Sequence, residues 1–334
     1  MLYLTMKRVF IILLSFTSFS AVAQRLSPAD RATLDNLQDS LRAISYDVIN
    51  GKEQSVREER NDYFIPRLVN ALKTKFSYYY PFDSLKTVAK VYPQDSSFRI
   101  FTWPLENDNS TFRHFGVIQM NTKDGSLKLF PLFDNSDFSK NMDTITNNRG
   151  WIGCLYYAMI QKRYFNAEYY TLFGWDANSQ TSQKKVIEML TFKNGEPVFG
   201  GPFFSFAEDT VPKPARNRFF IEYKREAVAA MNFDSEMDMI IFDHLISETN
   251  EPLKKYTYIP DLDYEGFKWQ AGRWVHVEKV FHDALQLGKY PIGQPADKKR
   301  TDYVKPKMDF EIQEEEAAKA AAEAAKKGKK KKKD

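Results

Sequence analysis

One cysteine, four histidines, 14 glycines and 15 prolines in 334 residues are the scarcities that first bound this sequence. A lone Cys154 excludes an intramolecular disulfide and the paired-cysteine zinc and redox motifs. Sparse Gly and Pro exclude a collagen-like or generally disordered chain. The histidines are His114, His244, His276 and His282, and none forms an HExxH pair, so zinc lacks a local ligand set. GxGxxG and GxxxxGK[ST] are missing, which leaves nucleotides without their usual phosphate loop. GxSxG is missing too, and with it the common nucleophile elbow, although a dispersed Ser-His-Asp set needs no local motif. The sequence therefore calls for no cofactor and no metal, and names no catalytic residue.

A long apolar run is also lacking. The nearest approach, Val9 to Ala23, covers 15 residues where a span needs about 20. Lys7 and Arg8 precede it and Ala21-Val22-Ala23 closes it, the arrangement of a secretory leader over residues 1–23 cleaved between Ala23 and Gln24. A periplasmic or secreted location is the expectation, with no transmembrane span in the mature chain. No Cys follows the cleavage position, so a lipoprotein anchor has no support. In an oxidising compartment a spare thiol is best buried, and the apolar WIGCLYYAMI context of Cys154 fits a small core hydrophobe better than a nucleophile.

The formal charge of +4 is unevenly spread: Lys7 and Arg8 supply +2, residues 326–334 supply +6, and residues 24–325 carry −4. The lysines Lys326, Lys327, Lys329, Lys330, Lys331, Lys332 and Lys333 form a polyanion-binding candidate. A leader argues against nucleic acid as the partner and for an anionic envelope surface or glycan, where each Lys contributes about 1 kcal/mol. The plain alternative is an inert solubilising tail. The preceding EEEAAKAAAEAAKK has helix propensity but no apolar face, so residues 297–334 are expected to be disordered.

Residues 24–84 predict an α-helical hairpin. Leu34, Leu37, Leu41, Ile44 and Val48 recur at three- and four-residue steps, Ser27-Pro28 is a cap and first-turn pair, and Gly51 is a stop. Ser55 to Glu58 has capping-box spacing, Tyr63, Phe64, Leu68 and Leu72 continue an apolar face, and Pro66 is expected to kink or split that helix. From 85 to 296 the chain predicts a mainly β, antiparallel multi-hairpin body, a sandwich, barrel or propeller-like meander. Short Val, Ile, Phe, Tyr and Thr runs alternate with the turn signals Asp124-Gly125, Asn194-Gly195 and Ala271-Gly272. No repeat of about 40 residues marks a WD or kelch propeller.

Two loops resemble calcium loops. In GWDANSQTSQKKVIEML, Asp176, Asn178 and Gln180 alternate, but Thr181 stands where Gly belongs and Ile187 where the bidentate Glu belongs. In PDLDYEGFKW, Asp261, Asp263, Glu265 and Gly266 fit better, yet Gly272 takes the closing position. Both read as polar connections. Trp103, Trp151, Trp175, Trp269, Trp274 and the run Tyr78-Tyr79-Tyr80 raise a carbohydrate-binding reading, against which stands ordinary aromatic filling of a β core.

The stretch YYTLFGWDANSQTSQKKVIEMLTFKNGEPVFG resembles a family of uncharacterised exported bacterial envelope proteins, in which a Gly-Trp-Asp-x-Asn loop precedes a hairpin ending in Pro-Val-Phe-Gly. That resemblance, over residues 95–285, implies the compartment and the β-rich body and carries no activity. The expected function is thus a non-enzymatic envelope protein, a binding or accessory module. The alternative is a glycan or peptide hydrolase with paired carboxylates in an aromatic-lined cleft.

Overall fold

The structure is a computed structural model that describes residues 26–139 and 141–281. The leader at 1–23, His282, and the tail at 297–334 with its lysines lie outside the described residues. By internal contacts the chain divides into units Met1–Val280 and Phe281–Asp334, and every helix and strand among the described residues belongs to the first.

Among the described residues two helices come first, α1 (Pro28–Asn50) and α2 (Gln54–Leu72). The Ser27 hydroxyl accepts the Asp30 N–H at 3.0 Å, and Pro28 follows in the first turn, as the sequence predicts. Gly51 ends α1 at φ −55°, with its N–H on the Asp47 carbonyl, so the stop does not use a left-handed turn. Two expectations need correction. The Ser55 capping box does not form: Glu53 is the cap residue, and its side chain makes no capping bond. Of the two outcomes expected at Pro66, a kink or a split, the split does not occur, and one helix runs through it. The packed face of Phe64, Leu68 and Leu72 holds the turn where a backbone bond is missing.

Sixteen strands follow among the described residues, the first eight being β1 (Ala89–Val91), β2 (Phe98–Glu106), β3 (Phe112–Met120), β4 (Leu129–Phe133), β5 (Thr146–Asn147), β6 (Leu155–Tyr164), β7 (Ala167–Asp176) and β8 (Ser182–Lys193). The second half comprises β9 (Glu196–Phe199), β10 (Phe204–Phe206), β11 (Lys213–Arg216), β12 (Arg218–Lys224), β13 (Met231–Asp234), β14 (Met239–Ser247), β15 (Tyr258–Gln270) and β16 (Arg273–Val277). They form three sheets, ordered β1-β2-β3-β4, β5-β9-β8-β7-β6 with β12 also on β8, and β11-β10-β16-β15-β14-β13. The predicted mainly β fold of antiparallel hairpins behind a helical pair is what is seen. One pair departs from it: β10 runs parallel to β16.

Strand alternation explains how the layers stack. On β2, Phe101 and Trp103 face the helices and join Leu34, Leu41, Phe64 and Leu68. Phe98 and Ile100 face the other way, onto Tyr170, Leu172 and Leu190 of the second sheet. Phe173, Ile187 and Met189 of that second sheet then face Ile240, Phe242, Phe267 and Trp274 of the third. The order is helices, sheet, sheet, sheet, with three apolar layers between.

Asn194-Gly195 and Ala271-Gly272 make tight turns with φ of 54° and 80°, and 46° and 79°. Asp124-Gly125 does not. The strands it is expected to join, β3 and β4, end at Met120 and start at Leu129, so the connection is a longer loop. The Gly125 carbonyl accepts the Phe76 N–H at 3.1 Å, and this tertiary bond overrides the two-residue turn.

Candidate functional site

The Asp176 loop is closed by its own side chains. Asp176 leaves β7 and its Oδ1 accepts the Asn178 N–H at 2.8 Å, an Asx turn. Asn178 Oδ1, which a calcium ion would need, accepts the Lys184 ammonium at 2.7 Å, and Asn178 Nδ2 donates to Ser182 Oγ. Asp176 also lies 3.8 Å from His114 Nε2, while Asp134 lies 3.4 Å from His114 Nδ1. Asp134 is a junction: it accepts the N–H groups of His114, Ser136 and Gly153, tying β3 to two loops. Burial opposes its charge, but bonds from His114 and Ser136 prevail and bring its pKa to about 2.

The second loop lies within β15, and a lysine and two histidines take its carboxylates. Lys279 reaches Asp263 at 3.2 Å, His244 Nδ1 reaches Asp261 at 2.9 Å, and His276 Nε2 reaches Glu265 at 2.8 Å. His276 Nδ1 meets Asp209 at 2.9 Å, and His244 Nε2 stands 3.8 Å from Glu265. The result is a chain Asp209–His276–Glu265–His244–Asp261 along one end of the third sheet. Within it His276 packs on Phe206, Phe242 and Phe267, while the His244 side chain is 40% exposed. Two carboxylates facing the two nitrogens of one ring favour the doubly protonated imidazolium form of His276. Burial pulls its pKa down, but the bonds to Glu265 and Asp209 outweigh that and raise it. Among the described residues, no group of three or more His, Cys, Asp or Glu is arranged to hold a metal ion.

A third polar cluster lies between the first two sheets. Arg218 Nε donates to Glu188 at 2.6 Å with both side chains fully buried. Tyr156 donates to the other Glu188 oxygen at 2.5 Å, and Trp151 Nε1 donates to Tyr156 at 2.7 Å. Cys154 adjoins this cluster, is buried, and its thiol pKa is raised by burial and then by Glu188. A raised thiol is a poor nucleophile, so Cys154 acts as core. Its sulfur lies where a side chain on Gly174 would intrude, at 2.4 Å from an added Cβ.

The aromatic candidates divide. Trp103, Trp151 and Trp274 are core residues; Trp175 and Trp269 are half-buried. Tyr78 and Tyr80 are buried, whereas Tyr79 between them is 39% exposed and lines a shallow surface hollow together with Phe76, Tyr78 and Asn121. Sequence reasoning passes over Glu188 and Arg218, although a lone charge inside the apolar VIEMLTF and another opening RFFIEYK signal a buried pair. It passes over Asp209 and Phe76 because only tertiary folding gives them their partners.

Comparison with family models, with curated proteins and with solved structures returns no match.

Proposed function

We propose that this protein is an exported, non-enzymatic module of a bacterial envelope that binds a partner or ligand. The supporting observation is that three buried titratable groups are committed to neighbours: His114 and His276 each stand between two carboxylates, and Glu188 is spent on Arg218 and Tyr156. The leader at residues 1–23 and the basic tail support the compartment. In this reading Lys326, Lys327 and Lys329 to Lys333 hold the molecule against anionic lipid or glycan. Capture of envelope components by the immobilised mature protein tests the binding role, and retention of nothing above background refutes it. Deleting residues 326–333 should weaken sedimentation with anionic vesicles, as should added salt; equal binding by intact and truncated protein refutes the tail's role.

A hydrolase is the second reading, and one observation favours it. His244 is a half-buried imidazole braced on Nδ1 by Asp261, with Glu265 near Nε2. Turnover of chromogenic glycosides or peptides that His244→Gln abolishes would establish it, and no turnover would remove it.

A further inference from the structure

The mouth of the β7–β8 hairpin gathers an amine, an amide and a carboxylate. Lys184 on β8 stands directly opposite Asp176 on β7 and, on its other side, opposite Glu222 on β12. Residues opposed in this way share one face of a sheet, so the three side chains form a row. Coulomb attraction favours a carboxylate as the partner of an ammonium. Among the described residues, however, Lys184 pairs with neither. It donates to Asn178 Oδ1 at 2.7 Å, and its other partner is the Met142 sulfur at 4.0 Å.

The loop holds Asn178 where Lys184 meets it. Its backbone stands at φ 53°, which Asn tolerates, and its N–H bonds to Asp176 Oδ1 at 2.8 Å. The Ser179 N–H closes onto the Ser182 carbonyl at 3.1 Å, and Arg225 Nη1 donates to the Ala177 and Ser179 carbonyls at 3.2 and 2.5 Å. The amide orientation is fixed as well, because an ammonium has only donors and requires the oxygen to face it. The amide nitrogen then donates to Ser182 Oγ at 2.7 Å and to Glu222 Oε1 at 3.3 Å. Ser182 Oγ donates to the same Glu222 oxygen at 2.6 Å. Ser182 is buried, and Asn178, Lys184 and Glu222 are half-buried.

We infer that Lys184 and Asn178 join in an intramolecular isopeptide bond, a self-modification that goes beyond the binding role proposed above. The amine and the amide it attacks are in contact before reaction, and holding reactants together removes much of a barrier. Lys184 first passes a proton to Glu222, because only the neutral amine is a nucleophile. Its lone pair then forms a bond to Asn178 Cγ. The attacking nitrogen loses a second proton, relayed to Nδ2, and the Cγ–Nδ2 bond breaks with its electron pair leaving on ammonia. Glu222 returns the first proton, directly or through Ser182, and ammonium departs. One amide replaces another, so neither oxidant nor reductant is consumed. The product is a ring over residues 178–184, a covalent tie at the hairpin mouth in a chain whose lone cysteine cannot supply a disulfide.

Peptide mapping of the purified protein by tandem mass spectrometry tests the bond. The tryptic peptide that begins at Tyr164 should be about 17 Da light, the mass of one ammonia. It should also resist cleavage after Lys184 and give no backbone fragments between Asn178 and Lys184. Lys184→Arg and Asn178→Ala should show no loss of mass. Glu222→Gln, in a chain whose circular dichroism matches the native spectrum, should leave at least about tenfold more unreacted peptide. A succinimide at Asn178 has the same mass but leaves Lys184 cleavable and the inner fragments present, and finding it overturns the inference. A native peptide of full mass, the same loss in Lys184→Arg, or undiminished reaction in Glu222→Gln overturns it too.

Discussion

Replacing Glu188 or Arg218 singly should damage this protein far more than replacing both. Each side chain is fully buried, and the pair is joined at 2.6 Å. Glu188→Leu leaves a guanidinium in the core without its counter-ion and takes the acceptor from the Tyr156 hydroxyl. Removing one member of such a pair costs about 3–5 kcal/mol. Arg218→Met should cost a similar amount, because it strands the Glu188 carboxylate and the Met142 and Thr144 carbonyls, which Arg218 Nη1 holds at 2.5 and 2.8 Å. In the double variant no charge is stranded. What remains is the unpaired Tyr156 hydroxyl and those two carbonyls, so the combined cost should fall short of the sum by about 2–3 kcal/mol. Urea unfolding followed by tryptophan fluorescence suits the measurement, since Trp151 bonds directly to Tyr156. A loss of about 3 kcal/mol moves the midpoint by at least ~1 M at an unchanged slope. Coincident circular-dichroism transitions establish that one unfolding step is being measured. Additive single costs, or a single cost below about 1 kcal/mol, would refute the claim that this pair is electrostatically closed.

Three further outcomes are expected from the same geometry. His276 has a raised pKa in the folded state, so its contribution is complete below the unfolded value near 6.5 and is lost as pH rises through the folded value. Urea midpoints should therefore fall more between about pH 6.5 and pH 9 for the native sequence than for His276→Gln, and parallel profiles would show the imidazolium to be irrelevant. Asp134, lowered to about 2, contributes above pH ~4 and loses that contribution as pH falls toward 2. Asp134→Asn should cost about 2 kcal/mol at pH 7 and almost nothing near pH 2, and an equal cost at both pH values contradicts the assignment. Gly125→Ala should lower stability by about 1–3 kcal/mol, because the new methyl meets the Phe76 ring at φ 74°; an unchanged thermal midpoint would mean that the loop is not fixed as described.

How far the sequence reaches can be read from single elements. Leu34, Leu41 and Val48 mark a helix face because a 3.6-residue period leaves few other options, and the face is buried. Asn194-Gly195 marks a hairpin because two successive residues with positive φ favour those side chains. The same rule misreads Asp124-Gly125, where a bond to Phe76, distant in sequence, sets the loop. The calcium-like loops read as polar connections on their missing ligands. The structure adds what the sequence leaves silent, namely that Lys184, Lys279 and two histidines occupy the carboxylate and amide oxygens.

The sequence by itself determined element type, the turn to β structure near residue 85, and the balance of charge, since each depends on local periodicity, propensity and composition. Tertiary structure alone decided that the sheets stack in three layers, that Asp209 meets His276 from 67 residues away, and that Tyr79 faces outward between two buried tyrosines. Those outcomes depend on which faces bury each other and on partners distant along the chain, and residue order does not state a distance in space.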